Sequence, residues 1–159
     1  MVVSDSHLSP RVADTGRNWS AALRYMEAAE PDFVIHVGDL CMDAIHHPQQ
    51  LAYGRAQMDR VPAPARDRLG KRVRERGVGA VLSGHVHQSR VLRVDGVTHL
   101  WAPTTWAVLP DSVQATIGSK RCGLLQIELR DDGPLVHKVV EPAGMAQLVI
   151  SDGVPDPPR

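Results

Sequence analysis

Three short apolar runs each stop abruptly at residues that carry chemistry. Met1 to Ser4 leads into Asp5-Ser6-His7, Phe33 to Val37 into Gly38-Asp39, and Ala80 to Leu82 into Ser83-Gly84-His85-Val86-His87. Short apolar runs closed by glycine and polar residues are the pattern of buried strands. The segments between them have helical spacing, and strands alternating with helices describe α/β layers on a mixed sheet. In open sheets of that kind, ligands bind beyond the carboxyl ends of the strands. The arrangement therefore predicts one rim that carries two carboxylates and three imidazoles.

The connecting segments support this frame. Trp19, Leu23 and Met26, with Ala22 and Ala29, predict an amphipathic helix over 16–29. Thr15 is its candidate N-cap, and Pro31 forces its end. Pro48 can open a second helix running to about Arg60. Val61-Pro62-Ala63-Pro64 breaks any regular structure. A basic helix over about 66–76 follows, with Ala65, Leu69 and Val73 as its apolar stripe and Gly77 as its stop. The period then changes from helical to extended. Arg90–Val94 and Val97–Trp101 flank Asp95-Gly96, a two-residue hairpin signal. Leu124–Leu129 and Leu135–Val140 flank Asp131-Asp132-Gly133, a second hairpin. The expected organisation is a single domain over 1–150 with a proline-rich tail at 151–159.

Composition narrows the function classes. The chain has 159 residues, with 18 basic and 18 acidic side chains in balance. A neutral chain is not a general nucleic-acid or membrane binder. Arg66, Arg68, Lys71, Arg72, Arg74 and Arg76 form a local basic patch, but no aromatic residues interleave them, so a solvated helix face is the expectation. No run reads as a secretory signal or membrane span, which makes the cytoplasm the expected location. Cys41 and Cys122 lack CxxC spacing and read as buried thiols in a reducing compartment.

The eight histidines are the surplus that needs explaining. Asp5/His7 and His85/His87 are alternating pairs, which on extended backbone would place both side chains on one side. The glycines at 38 and 84 allow sharp turns that re-aim them. Each motif alone is common; together, each after an apolar run, they predict a metal site. Mixed Asp and His donors suit Zn, Fe, Mn or Co without choosing among them. His36 reads as a core histidine, and His99 and His137 as structural. His46-His47 is a loop pair, either solvated or near a substrate. Asp43 is either a loop acid or a group that orients a ligand.

Ser4-Asp5-Ser6-His7-Leu8, Asp32 to Leu40 and Ser83-Gly84-His85-Val86-His87 resemble the calcineurin-like metallophosphoesterase family, and most of all its cyclic-nucleotide phosphodiesterase-like branch. The resemblance extends through Thr104-Thr105-Trp106 to about residue 150. It implies mixed β-sheets flanked by helices, an αββα sandwich. It also implies a site of two divalent metal ions that hydrolyses phosphate esters, cyclic nucleotides among them, through a metal-activated hydroxide. Carried over by residue, Asp5, His7, Asp39 and His87 would hold one ion. Asp39 would bridge to a second ion held by His85.

The family completes the second position with an Asn from a Gly-Asn-His motif, whose His is the acid for the leaving group, and with a further His. This chain has no Gly-Asn-His, and its only Asn is Asn18. The interval from Asp39 to His85 is too short for the missing strands. An internal deletion joining near Pro64-Ala65 accounts for this and predicts a truncated fold. The resemblance then implies a metal-dependent phosphoesterase with impaired turnover and no assignable catalytic acid. The alternative is an inactive metal-binding remnant that holds one ion.

Overall fold

The computed structural model describes residues 1–62, 80–94, 97–130 and 133–150. The expected third helix with its basic patch, the junction near 64–65, the turn residues 95–96 and 131–132, and the tail 151–159 lie outside them. Two helices and nine strands are defined among the described residues. The fold is mixed α/β.

β1 (Val2–Val3) is short but central. It pairs in parallel with β2 (Ile35–His36) and antiparallel with β7 (Leu124–Glu128), and β7 pairs antiparallel with β8 (Val136–Val140). The sheet order is β2-β1-β7-β8. A second sheet has β5 (Val97–Trp101) at its centre, parallel to β3 (Ala80–Ser83) and antiparallel to β4 (Arg90–Val94). Both hairpins expected from the sequence are present in register. The parallel pair β6 (Ala107–Val108) and β9 (Leu148–Val149) has no counterpart in the sequence reading.

Adjacent strand residues point to opposite faces, and this builds the layers. Val3 and Leu124 face α1 (Ala13–Ala29), packing with Trp19, Ala22, Leu23 and Met26. Val2 and Leu125 face the other way, toward Leu82, Leu100 and Ala102 of the second sheet. The four-stranded sheet thus lies between the helices and the three-stranded sheet. α2 (Gln49–Met58) joins the helical side through Tyr53 and Met58. Gly54 allows that approach, since a β-carbon there would stand 2.8 Å from the Cys41 sulfur.

Several local expectations change. α1 begins three residues earlier than expected. Val12 takes the N-cap position, and Thr15 sits inside the helix, its hydroxyl donating to the Val12 carbonyl at 2.8 Å. Ala29 is exposed rather than part of the apolar stripe. Glu30 closes the helix in the left-handed conformation, consistent with Pro31 ending it. β2 is half-buried rather than buried, because it forms the edge of its sheet. β3 belongs to the second sheet, so the three motifs do not share the rim of one sheet.

Candidate metal centre

The motifs meet because the carboxyl ends of two sheets converge. Beyond β1 and β2 the two loops zip together: the Asp5 N–H donates to the Gly38 carbonyl at 3.2 Å and the His7 N–H to the Asp39 carbonyl at 3.0 Å. β3 arrives from the other sheet at Gly84. A β-carbon on that residue would collide with the Ser4 hydroxyl and stand 2.8 Å from the Val37 carbonyl oxygen. Gly84 is therefore required for close approach of backbones rather than for a turn. Gly38 does serve the turn, with φ +117°.

The expected extended pairs do not occur. Asp5, His7, Asp39, His85 and His87 all have left-handed backbones, with φ between 44° and 73°. Among the described residues, the one other non-glycine in that region is Glu30 at the end of α1. Each such residue costs on the order of 1 kcal/mol and persists only where its surroundings fix it. The kinks gather side chains that an extended chain would spread apart. Ligand atoms of Asp5, His7, Asp39 and His87 lie within 4.8 Å of one another.

The contacts divide into a buried side and an open side. Asp5 is fully buried; it accepts from the Ser4 hydroxyl and, at 2.7 Å, from the His85 backbone N–H. Burial pushes its carboxyl above the usual range, against those hydrogen bonds and the nearby His87 imidazole. His87 donates Nδ1–H to the Ala107 carbonyl at 2.5 Å, which fixes its tautomer and leaves the Nε2 lone pair facing inward. That nitrogen is 3.2 Å from His7 Nε2 and 3.9 Å from Asp5 Oδ1. Burial holds His7 down to about 4, so its ring is neutral near pH 7. On the open side, Asp39 Oδ2 is 3.7 Å from His7 Nε2 and 2.9 Å from His85 Nδ1. Burial would raise the Asp39 carboxyl, but the His85 hydrogen bond and the neighbouring imidazoles outweigh it and hold it low. The same bond raises His85.

This donor set fits a divalent transition metal. A tetrahedral ion with bonds of about 2.1 Å needs ligand atoms about 3.4 Å apart, and octahedral trans ligands stand about 4.2 Å apart. The 4.8 Å cluster is at most slightly wider than these. Two inward imidazole nitrogens facing each other, beside a buried carboxyl group, are a donor set that could hold a cation. The four residues expected to form one site come together. The His85 side chain reaches only Asp39, on the outside.

Sequence reasoning passed over the supports. The hydroxyls of Thr104 and Thr105 donate to the carbonyls of Asp5 and Ser4, at 3.1 and 2.9 Å, and strap down the end of β1. The Trp106 ring stands 4.9 Å from that of His7 and walls the cluster. Two adjacent threonines after Pro103 were the available signal; a backbone acceptor such as Ala107 leaves none. The other candidates do not join. His46 is bonded to Asp43 at 3.0 Å, and Asp43 also caps its own loop by accepting the His46 N–H, which makes it a loop acid. His36 is half-buried and bonded to Ser6 at 2.8 Å. Its Nδ1 accepts the Gly38 N–H, so Nε2–H donates to Ser6 and this pair is not a nucleophile and base. His99 stacks on Trp101. Both cysteines are free; Cys122 is buried, but Cys41 only half-buried.

No family model and no curated protein matches the chain. Among the described residues, no helix is long and apolar enough to cross a membrane.

Proposed function

We propose that this chain holds one divalent transition-metal ion through Asp5, His7, Asp39 and His87 and is a weak metal-dependent hydrolase of phosphate esters. The observation that carries the reading is the backbone. The five residues singled out from the sequence as ligands are, among the described residues, the same five non-glycines that adopt strained left-handed conformations away from a helix end. Strain of this kind clusters at functional sites. A divalent ion there would supply Lewis acidity and an activated water.

The chain's own residues would do the rest. Ala107 fixes the His87 tautomer, and Thr104, Thr105 and Ser4 fix Asp5. His7 stays neutral and offers its lone pair. Trp106 excludes water from one side. Asp39 and His85 remain open toward solvent, where a phosphoryl group would approach. The helix–sheet–sheet layering is consistent with a truncated αββα sandwich of the metallophosphoesterase type. The implied substrate is a phosphate ester, cyclic nucleotides among the candidates, rather than a nucleic acid or membrane. Free thiols suit a reducing cytoplasm.

A specific observation favours the second reading, a metal-binding remnant without turnover. Asn18 is the single residue that could replace the family's Asn ligand, and it is fully engaged elsewhere. It is buried, donates to the Trp106 and Ala146 carbonyls at 2.9 and 3.0 Å, and accepts the Ala146 N–H at 2.8 Å. The second metal position therefore keeps Asp39 and His85 alone. Hydrolysis of bis(p-nitrophenyl) phosphate by the purified chain, with and without Mn, Zn or Co, separates the readings. Slow turnover that needs metal and disappears in Asp5→Asn supports the hydrolase. Metal binding without turnover supports the remnant. Turnover independent of metal and of Asp5 defeats both.

A further inference from the structure

A cavity of about 190 Å³ adjoins the metal centre. Its apolar walls come from Val12 before α1, Met42 after β2, Trp106, and Leu148 and Ile150 of the β9 segment. Two of its walls also belong to the centre. Trp106 packs beside His7, and Ala107 supplies the carbonyl that orients His87. Asp14, in the first turn of α1, is the one charged residue lining it.

We propose that the cavity binds the ester group of a small phosphate ester, a flat apolar ring that carries an N–H or amine donor. This inference rests on the metal-centre reading for its phosphate end, but the cavity stands on its own geometry. An enclosed apolar cavity of about 150 Å³ holds one benzene ring, so this half-open crevice, lined by polar as well as apolar atoms, has room for a substituted or fused ring. Trp106 offers a face for ring stacking. Asp14 selects a hydrogen-bond donor or a cation and rejects a second anionic group. None of the four candidate ligands lines the cavity; Trp106 and Ala107 are the residues it shares with the surroundings of the cluster, and the ring would lie on one side of them and the phosphate on the other.

Two titrations on the full-length chain test this. In metal-free protein, benzylamine should shift the methyl resonances of Val12, Leu148 and Ile150, whereas benzoate should not. Asp14→Asn should reduce the benzylamine affinity at least ~3-fold, as loss of one charge-assisted contact predicts. Absence of shifts, or equal binding of benzoate, overturns the cavity proposal. In metal-loaded protein, benzylphosphonate should bind at least ~10-fold more tightly than methylphosphonate, the gain expected from burying one ring. Met42→Glu, which puts a charge on the wall, should erase that difference. Equal phosphonate affinities overturn the proposal and leave the metal reading intact. Failure of both phosphonates to bind overturns the metal reading, and the benzylamine titration then decides the cavity alone.

Discussion

Asp5 and His87 have side chains 0% and 7% exposed, while Asp39 and His85, a few ångströms away, are 34% and 84% exposed. The buried pair is held from several directions: Ser4, Thr104, the His85 backbone and the Ala107 carbonyl all converge on it. The open pair is held mainly by its own mutual hydrogen bond. Two inner side chains are thus fixed before any ion arrives, and two outer groups are free to adjust to what binds. A site built this way should hold one ion firmly and a second one poorly.

That contrast can be broken from its buried side first. His87→Ala removes an oriented ligand and should weaken Zn or Mn binding by more than ~100-fold, beyond the loss typical of outer partners. Calorimetric titration of the folded variant measures it; a near-native affinity would show that His87 is not a ligand. Gly84→Ala attacks the junction of the two sheets. Its β-carbon has no room against Ser4 and Val37, and the expected loss of stability is about 3 kcal/mol in urea unfolding. Unchanged stability would mean that the sheets do not meet as described.

Acid should act next to the centre, at the half-buried His36 that is bonded to Ser6. Burial holds His36 at about 4, below the ~6.5 of an unfolded histidine. The folded state then binds fewer protons, so this stabilisation is complete above pH 6.5 and is lost as pH falls toward 4. After discounting for partial exposure, His36 should contribute about 2 kcal/mol of that loss. Comparing urea midpoints of metal-free wild type and His36→Gln between pH 7.5 and 4.5 isolates it. Parallel pH profiles would contradict the assignment. The smallest effect belongs to the open side. His85→Ala should change affinity for the first ion by less than ~3-fold, because the His85 side chain is exposed and touches only Asp39, its contact with Asp5 being made by the backbone, and solvent-exposed pairs contribute little. A loss comparable to that of His87→Ala would erase the distinction between the sides.

Much of this was legible in the sequence, for identifiable reasons. The hairpins at Arg90–Trp101 and Leu124–Val140 were visible because turn residues punctuate alternating patterns. Trp19, Leu23 and Met26 marked the buried face of α1 through their spacing. The candidate ligands themselves were visible because Asp and His after an apolar run are chemically conspicuous. What escaped detection depends on tertiary approach. Two-residue strands such as Ala107–Val108 and Leu148–Val149 have no period to read. The division into two sheets depends on Gly84 meeting Ser4, a contact across the fold that no local pattern encodes. The left-handed kinks at Asp5, His7 and His87 reverse the geometry an alternating pair suggests. They are imposed by neighbours rather than by propensity.

Metal stoichiometry tests the central claim most directly. The full-length chain is stripped of metal, titrated with Zn and then with Mn, and analysed for bound ion per chain after exhaustive dialysis. The account predicts one tightly held ion that is absent from Asp5→Asn. No retained ion, or an ion retained equally by Asp5→Asn, would contradict it.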